Sequence, residues 1–471
     1  MSHPRYDVVI IGAGTAGQSA YKQVVKYTSN ILVINAGPWD TTCARVGCMP
    51  SKLLIEAAKY AHLSQHANEF GIHNQTRIDG KAVMQRVQQL RDYFTGHAQT
   101  LVDHWPAEHK LQGQAQFVDA QTLKVGEQTI HSNATIVATG STPRIPEGWQ
   151  DALKHKLLTS DTIFNLSELP KSIIVAGTGA IGIELAQALS QLGVEVTLIG
   201  TRQFIGGLTS PELTELATSL IGPALNYIDN SKIEQVYLQD NQVVLHYQQY
   251  QHQRQQHSGQ IKADYLLAAT GRESTITALG LDKINPRYAD TEQIEQQPDT
   301  MQLDDLPIFL AGDVASKRAV QHEAAFAGRI AGINAAHYPK LQPFSPYAPL
   351  AIIFSSPQMA ISGQSHQALT KANTPFVCAQ VSYNKQGRAT IQAKNHGAIE
   401  LYGCPTSHKL LGAELLVHEA EHLAHLLTWA IQQGLTVTEL LAMPFYHPVL
   451  EEGLRTALVR LNQQLAAKTP V

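Results

Sequence analysis

The chain has 471 residues, a formal net charge of −4 and four cysteines. This length predicts two to four domains with sizeable cores. The small net charge excludes the strongly basic proteins and gives no reason to expect nucleic acid or an anionic membrane as a partner. The apolar run VVIIGAG is too short and too rich in glycine for a signal peptide or a membrane span, so we expect a cytoplasmic location.

The first element is a nucleotide-binding pattern of strand, glycine turn, helix and strand over residues 6–34. Gly12 suits the tight turn, Gly14 the close approach of a pyrophosphate, and Gly17 the packing of helix against strand. The usual acid at the end of the second strand is replaced by Asn35, which can still hydrogen-bond a ribose.

Two cysteines follow in the run TTCARVGCMPSK, residues 41–52. A regular helix would separate Cys43 and Cys48 by about 7.5 Å along its axis, whereas a disulfide needs Cα atoms within about 7 Å. If the two bridge, the turn between them cannot be regular helix, and Gly47 can absorb the distortion. Two inert cysteines or half a metal site are the alternatives, although Cys378 and Cys404 are too far apart to complete a zinc site.

A second nucleotide-binding pattern repeats the first over residues 172–199, after predicted helices over 56–104 and predicted strands over 111–140. Its glycines are Gly177, Gly179 and Gly182, in the same register as the first set. Two such turns indicate two dinucleotide sites, one in each of two domains. We expect no metal site.

The nicotinamide preference of the second site is left open by the residues that follow it. Gly200 stands where an acid usually contacts the ribose, and it offers no side chain. Arg202 could accept a 2′-phosphate or could be a solvated surface arginine. The sequence therefore does not decide between NAD and NADP.

Three buried strands and a polar hairpin are predicted next to these turns. IVATGS (136–141) and LLAATGR (266–272) each end in Ala-Thr-Gly, and the polar segment 246–260 between them is predicted to be an exposed hairpin. IFLAGDV (308–314) ends at Gly312-Asp313, which places a carboxylate where it could hold a polyol hydroxyl of a cofactor.

The last 120 residues or so are predicted to form a separate domain after a proline-rich linker (342–350). Strands are predicted near 351–363, 375–383, 388–404 and 410–417, followed by helices near 419–434, 436–442 and 449–466. His447 lies in a Pro-bounded turn, five residues before Glu452. This pair is either a general base with an orienting acid or an ordinary helix-entry histidine.

Taken in order, these motifs make the chain resemble, over nearly its full length, the flavin-dependent disulfide oxidoreductases of the dihydrolipoamide dehydrogenase, glutathione reductase and mercuric reductase family. The resemblance implies an α/β fold with two Rossmann-like domains, for FAD (1–150 and 275–342) and NAD(P) (151–274), and a C-terminal α+β dimerisation domain (343–471). It implies a homodimer whose active site is shared between subunits, FAD and NAD (or NADP) as cofactors, and a dithiol or disulfide substrate.

The resemblance also implies roles for individual residues. Cys48 would be the thiolate that faces the flavin, and Cys43 the outer thiol that exchanges with substrate. Lys52 and Glu184 would form an ion pair near the flavin, while His447 and Glu452 would be the base and its orienting acid. The remaining implied FAD contacts are Gly12, Gly14, Gly17, Asn35, Thr42, Lys52, Thr139, Gly140, Gly312 and Asp313. The implied NAD(P) contacts are Gly177, Gly179, Gly182, Arg202 and Gly271.

Within the family, dihydrolipoamide dehydrogenase is the most similar member, with the lipoyl group of a 2-oxoacid dehydrogenase complex as candidate substrate. The tail RLNQQLAAKTPV lacks the vicinal cysteines of mercuric reductases, and Gly200 replaces an arginine typical of glutathione reductases. WDTTC replaces the usual paired glycines before the first cysteine. Another disulfide reductase, a flavin oxidase or transhydrogenase without a disulfide substrate, and a non-catalytic dinucleotide-binding subunit remain as alternatives.

Overall fold

A computed structural model describes residues 4–201, 205–250, 256–315 and 319–468. The chain divides into two compact units. The first comprises residues 1–53, 85–144 and 271–346, and the second comprises residues 54–84, 145–270 and 347–471.

The strands are, in chain order, β1 Arg5–Ile11, β2 Ile31–Asn35, β3 Lys110–Gln112, β4 Ala115–Asp119, β5 Thr122–Val125, β6 Gln128–Val137, β7 Ser141–Pro143, β8 Leu157–Leu158, β9 Ser172–Ala176, β10 Glu195–Ile199, β11 Ser231–Gln239, β12 Gln242–Tyr250, β13 Gln256–Ala263, β14 Tyr265–Ala268, β15 Arg272–Ser274, β16 Ile308–Leu310, β17 Leu350–Ile353, β18 Gln358–Gly363, β19 Val377–Ser382, β20 Ala398–Gly403 and β21 Leu410–Val417.

The α-helices are α1 Thr15–Val24, α2 Thr42–Arg45, α3 Cys48–Gln65, α4 Gly80–Asp103, α5 Trp149–Leu153, α6 Ala180–Gln191, α7 Pro211–Ile221, α8 Gln321–His337, α9 His366–Lys371, α10 Gly387–Ile391, α11 Ala420–Gln432, α12 Val437–Leu441 and α13 Glu451–Lys468. Short 3₁₀ segments connect several of them.

The first unit is built on a seven-stranded sheet whose parallel part runs in the order β3, β2, β1, β6, with β16 also paired to β6. Residues 8–11 of β1 are buried. A strand inside a parallel sheet is covered on both faces, and this is why its sequence is a continuous apolar run. Helix α1 connects β1 to β2 and packs, with α8, over one face of this sheet. The glycine turn after β1 therefore lies at the carboxyl edge of parallel strands, where such sheets bind ligands.

The second unit contains three sheets. A four-stranded parallel sheet in the order β10, β9, β14, β8 repeats the arrangement of the first unit, with α6 connecting β9 to β10. The strands β11, β12 and β13 form an antiparallel meander. The third sheet is antiparallel, in the order β17, β18, β21, β20, β19, and its apolar residues form one core with those of α11 and α13.

The structure confirms the α/β class, the two strand–turn–helix repeats and the strands predicted over 111–140. The predicted hairpin over 246–260 is also present, although residues 251–255 lie outside the described part of the chain. The domain boundaries proposed from the sequence stay a prediction. No helix among the described residues is long and apolar enough to cross a membrane.

Two predicted elements are wrong in detail. The helical region assigned to 56–104 begins at Cys48 and is divided, because Gly71 adopts a left-handed conformation (φ 73°) and residues 72–79 form no helix. The strand assigned to 388–404 is reduced to β20 and preceded by α10. The side chain of Gln386 accepts a hydrogen bond from the Ala389 amide and so starts a helix where the apolar pattern suggested a strand.

Candidate active site

In the first glycine turn, close backbone contacts leave no room for a β-carbon at two of the glycines, whereas the third glycine faces open space. Gly12 has φ +106°, and a β-carbon there would lie 2.4 Å from the Ala138 carbonyl oxygen. A β-carbon at Gly17 would lie 1.9 Å from the Gly12 oxygen. Gly14, which caps α1 without a side-chain hydrogen bond, has nothing within 4 Å of that position. The open space at the helix N-terminus is where a pyrophosphate could bind, and its use for FAD stays a prediction.

Asn35 supports this turn from the end of β2. Its Oδ1 accepts a hydrogen bond from the Ala13 amide at 3.2 Å, and its Nδ2 donates to the carbonyls of Gly37 and Pro38 at 2.8 and 3.0 Å. The side chain is buried. Asn35 therefore holds the glycine turn, and its contact with a ribose stays a prediction.

A hydrogen-bond network in the first unit joins residues at the ends of three strands. Ser141 Oγ donates to Asp313 Oδ2 at 3.1 Å, and Arg272 donates to Ser141 through Nε to Oγ (2.8 Å) and through an NH₂ group to the carbonyl oxygen (2.6 Å). Ser141 and Arg272 were not predicted as site residues from the sequence. Each directly follows an Ala-Thr-Gly run at a strand end, and that shared position was the signal that could have identified them.

Four other predicted residues lie in the same neighbourhood of the first unit, namely Thr139, Gly140, Gly271 and Gly312. Thr275 Oγ1 donates to Thr139 Oγ1 at 2.8 Å and to the Gly140 carbonyl at 3.1 Å. The Gly271 carbonyl accepts from the Arg144 amide at 3.0 Å, alongside the pairing of β15 with β7. Gly312 has φ +81°, which a glycine adopts without strain.

The two cysteines lie on either side of a break between helices. Helix α2 ends at Arg45 and α3 begins at Cys48, so the residues between the cysteines are not continuous helix, although the two cysteines are thiols in this structure and not a disulfide. A β-carbon at Gly47 would lie 3.1 Å from both the Cys43 Cα and the Thr42 carbonyl oxygen. Glycine at position 47 thus allows the close approach of the two cysteine-bearing segments.

The sulfur atoms of this turn interact directly. A hydrogen bond between the Cys43 and Cys48 side chains, together with burial, raises the pKa of the Cys43 thiol, and the positive charge of Lys52 on α3 opposes that rise. Cys43 therefore keeps its proton when the pair is reduced. The assignment of Cys48 as the thiolate that faces the flavin stays a prediction.

The second glycine turn has the same construction as the first. Gly177 has φ +119°, and its β-carbon would lie 2.2 Å from the Ala269 carbonyl oxygen, while that of Gly182 would lie 2.0 Å from the Gly177 oxygen. Gly179 caps α6 without a side-chain hydrogen bond and has nothing within 4 Å. The turn therefore has the open space that a second pyrophosphate would need, and its use for NAD(P) stays a prediction.

Position 200 cannot take an acid without local movement. A β-carbon at Gly200 would lie 2.5 Å from Thr178 Cγ2, in the second glycine turn itself. A side chain at position 200 would therefore require Thr178 to move. Arg202, the predicted NAD(P) contact, lies outside the described residues.

Glu184 is buried on α6, and its Oε1 accepts a hydrogen bond from the Phe354 amide at 2.9 Å. Lys52 belongs to the first compact unit and Glu184 to the second. Their ion pair stays a prediction.

His447 and Glu452 form the predicted pair. His447 Nδ1 lies 2.8 Å from Glu452 Oε1, and Glu452 Oε2 accepts from the Val449 amide at 3.2 Å. The hydrogen bond with His447 and that from Val449 lower the pKa of Glu452. The imidazole is 81% exposed and stands beside a cavity lined by Leu441, Met443, Phe445, Glu452, Arg455 and Thr456. The contact through Nδ1 orients the ring, and its exposure leaves Nε2 accessible for proton transfer.

Cys378 does not belong to this pair and lies on β19. Burial and the neighbouring Glu400 raise the pKa of Cys378 to about 12, so its thiol stays protonated. Within the described part of the chain, no three His, Cys, Asp or Glu side chains are grouped so that they could hold a metal ion.

Comparison with known families agrees with this geometry. The family model described as pyridine nucleotide-disulphide oxidoreductase matches residues 6–337. The chain belongs to this family. The model of the family's dimerisation domain matches residues 350–458, which supports a homodimer. The family is FAD-dependent and uses NAD(P) as its electron partner, so the expected cofactors are confirmed at that level.

Curated relatives carry two different names at similar identity. A mercuric reductase of Lysinibacillus sphaericus is 26% identical over 468 residues, which cover 99% of this chain and 84% of that protein. A dihydrolipoyl dehydrogenase of Geobacillus stearothermophilus is 27% identical over 455 residues, covering 95% and 94%. One of Chlamydia pneumoniae is 28% identical over 471 residues, covering 98% of each chain.

Solved structures show the same fold. LpdA from Mycobacterium tuberculosis matches with a TM-score of 0.81 and 19% identity, over 97% of this chain and 99% of that one. The HOCl-induced flavoprotein disulfide reductase RclA from Escherichia coli matches with a TM-score of 0.79 and 19% identity, over 96% and 99%.

Proposed function

We propose that this family member is a dihydrolipoyl dehydrogenase, which moves electrons between a dithiol substrate and NAD(P) through Cys43 and Cys48. The observation that carries the proposal is the geometry of the cysteine turn: Cys43 and Cys48 lie on either side of a helix break, and Gly47 permits their approach. Such a pair can open and close as a disulfide while one sulfur remains the preferred thiolate.

The chemistry starts with proton transfer at the exposed imidazole. His447 Nε2 removes a proton from one thiol of the substrate, while Glu452 holds the ring through Nδ1 and stabilises the imidazolium that forms. In a homodimer of this family the base acts on the cysteine pair of the other subunit. The exposure of His447 in the single chain is consistent with that use.

The substrate thiolate then attacks the Cys43 sulfur of the oxidised pair. The bond between Cys43 and Cys48 breaks, and Cys48 leaves as a thiolate near the charge of Lys52. The second substrate thiol, once deprotonated, attacks the mixed disulfide and displaces Cys43. The substrate leaves as a cyclic disulfide, and the pair holds two more electrons.

FAD, when bound at the first glycine turn, would supply two-electron exchange between the reduced cysteines and NAD(P). The protein's part is to hold the cofactor at Gly14 and to position Asp313 through Ser141 and Arg272. A role for Lys52 with Glu184 near the flavin forms part of this proposal.

A steady-state screen tests the proposal. The purified flavoprotein is assayed with lipoamide, oxidised glutathione and Hg²⁺ as oxidants, each with NADH and NADPH, and with dihydrolipoamide plus NAD⁺ in the reverse direction. We expect the fastest turnover with lipoamide and its dithiol. Preference for glutathione or Hg²⁺ would replace the proposed substrate while leaving the cysteine chemistry in place.

Thiol titration separates this proposal from a flavin oxidase or transhydrogenase. Two new thiols per flavin after anaerobic reduction with NADH indicate a working cysteine pair. No new thiols, together with NADH oxidation by oxygen or a quinone, would contradict the proposal. A protein that binds no FAD would instead support a non-catalytic subunit.

A further inference from the structure

Glu414 is a fully buried carboxylate on β21 whose two oxygens are both occupied. Oε2 accepts from the amides of Thr209 (2.6 Å) and Ser210 (3.0 Å). Oε1 accepts from the Thr209 hydroxyl (2.6 Å) and from the His366 amide (2.8 Å). Three backbone amides and one hydroxyl thus compensate the buried charge, three of these donors coming from two successive residues.

Thr209 and Ser210 are the last two residues of the segment 205–210. This segment lies against the second glycine turn. The Gly206 amide donates to the Thr178 carbonyl at 3.0 Å, and the Ile205 amide donates to Thr218 Oγ1 at 3.2 Å. Ser210 also caps α7, because its side chain accepts from the Leu213 amide. The segment is therefore held at the glycine turn on one side and at Glu414 on the other.

We infer that Glu414 is a positioning residue for the nicotinamide cofactor. It holds residues 205–210 in place, so that the Gly206 amide keeps its hydrogen bond to the Thr178 carbonyl. That hydrogen bond fixes the glycine turn to which the dinucleotide is proposed to bind. The inference rests on the proposed use of the second glycine turn for NAD(P). It concerns cofactor affinity and not the exchange between thiols and disulfides.

Glu400 provides a matched control. It lies directly opposite Glu414 in the pairing of β20 with β21 and is also buried. Its side chain bonds with the Tyr402 hydroxyl (2.9 Å) and the Gln380 side-chain amide (3.1 Å), which lie on β20 and β19. Replacing Glu400 therefore disturbs the same sheet without removing an acceptor from residues 205–210.

The test compares Glu414→Gln with Glu400→Gln in the FAD-loaded protein. NADH and NADPH oxidation is followed with ferricyanide as acceptor, so the assay needs no knowledge of the disulfide substrate. The amide group that replaces the carboxylate in Glu414→Gln can accept through its oxygen only. We therefore expect KM for the nicotinamide to rise about tenfold with kcat within about twofold. Glu400→Gln should leave both constants within about twofold.

A second pair of variants protects the test against a general loss of folding. Thr209→Val removes the hydroxyl that binds Glu414, whereas Thr209→Ser keeps it. We expect Thr209→Val to raise the KM for the nicotinamide about threefold. Thr209→Ser should keep the wild-type KM.

The inference is overturned if folded Glu414→Gln keeps the wild-type KM, or if Glu400→Gln raises KM equally. If Glu414→Gln does not fold, an unchanged KM in Thr209→Val overturns it instead. Failure of the proposed substrate would show differently, as an active NAD(P)H–ferricyanide reaction in the wild type without turnover of lipoamide.

Discussion

Two glycines of the second turn, Gly177 and Gly179, give a sharp prediction, because the backbone requires the first and the second is predicted to face the ligand. A β-carbon at Gly179 meets nothing within 4 Å, and the residue has the extended φ of −76° that any amino acid adopts. Gly177 has φ +119°, and its β-carbon would lie 2.2 Å from a backbone oxygen. Gly179→Ala should therefore fold normally and bind NAD(P) poorly, whereas Gly177→Ala should lose stability.

The magnitudes follow from these contacts. Gly179→Ala gains about 0.4–1 kcal/mol from reduced freedom of the unfolded chain and loses a few tenths at the helix cap, so its stability should stay within about 1 kcal/mol of wild type. The methyl group occupies the space of the pyrophosphate and costs one or two charge-assisted hydrogen bonds, about 3 kcal/mol or about 10²-fold in affinity. Gly177→Ala combines a strained φ with a backbone clash, for about 3 kcal/mol or more of lost stability.

The assay pairs thermal unfolding with steady-state kinetics. For Gly179→Ala we expect an unchanged melting temperature and a KM for NADH or NADPH raised about 10²-fold. For Gly177→Ala we expect a lower melting temperature. A Gly179→Ala variant that keeps the wild-type KM would refute the assignment of this turn to the pyrophosphate, and equal destabilisation of both variants would refute the steric reasoning.

Three further predictions concern the redox pair, the base and the ribose position. Cys48→Ser should remain a yellow flavoprotein but lose the long-wavelength thiolate-to-flavin absorbance on reduction, and survival of that band would reject Cys48 as the thiolate. His447→Gln should lower turnover about 10²- to 10⁴-fold with FAD retained, as expected for a lost acid–base group; unchanged turnover would make it an ordinary helix-entry histidine. Gly200→Ala should cost about 1–3 kcal/mol of stability through its contact with Thr178 Cγ2. Thr178→Ser removes that atom, so melting curves of the double variant should show recovery, and additive losses would contradict the steric explanation.

The parts of the site that sequence could predict are those whose geometry is local. Gly12 and Gly177 are each required by a turn that is only a few residues long. The spacing of the glycines within each turn therefore identified both strand–turn–helix units. The pairing of His447 with Glu452 is similarly local, since five residues separate them at a helix start. Short-range backbone geometry leaves a readable pattern in the sequence.

The parts that could not be predicted depend on contacts between distant segments. Ser141 binds Asp313, 172 residues away, and Glu414 binds Thr209, 205 residues away. A buried glutamate on a strand gives no indication in sequence of which amides will satisfy it. Gly200 was visible in the sequence as a missing acid. The contact that a side chain there would make with the methyl group of Thr178 could be seen only in the folded glycine turn.

The stretch before the first cysteine shows how this chain departs from its relatives at small structural cost. Where the family usually has paired glycines, Asp40 is buried and lies 3.1 Å from Arg45, in the turn between the cysteines. Thr41 caps α2 by accepting a hydrogen bond from the Ala44 amide. The added carboxylate and hydroxyl both find partners within five residues, so the substitutions compensate one another locally. Because Arg45 stays partly exposed between the two cysteines, it is the place to look for a difference in disulfide substrate.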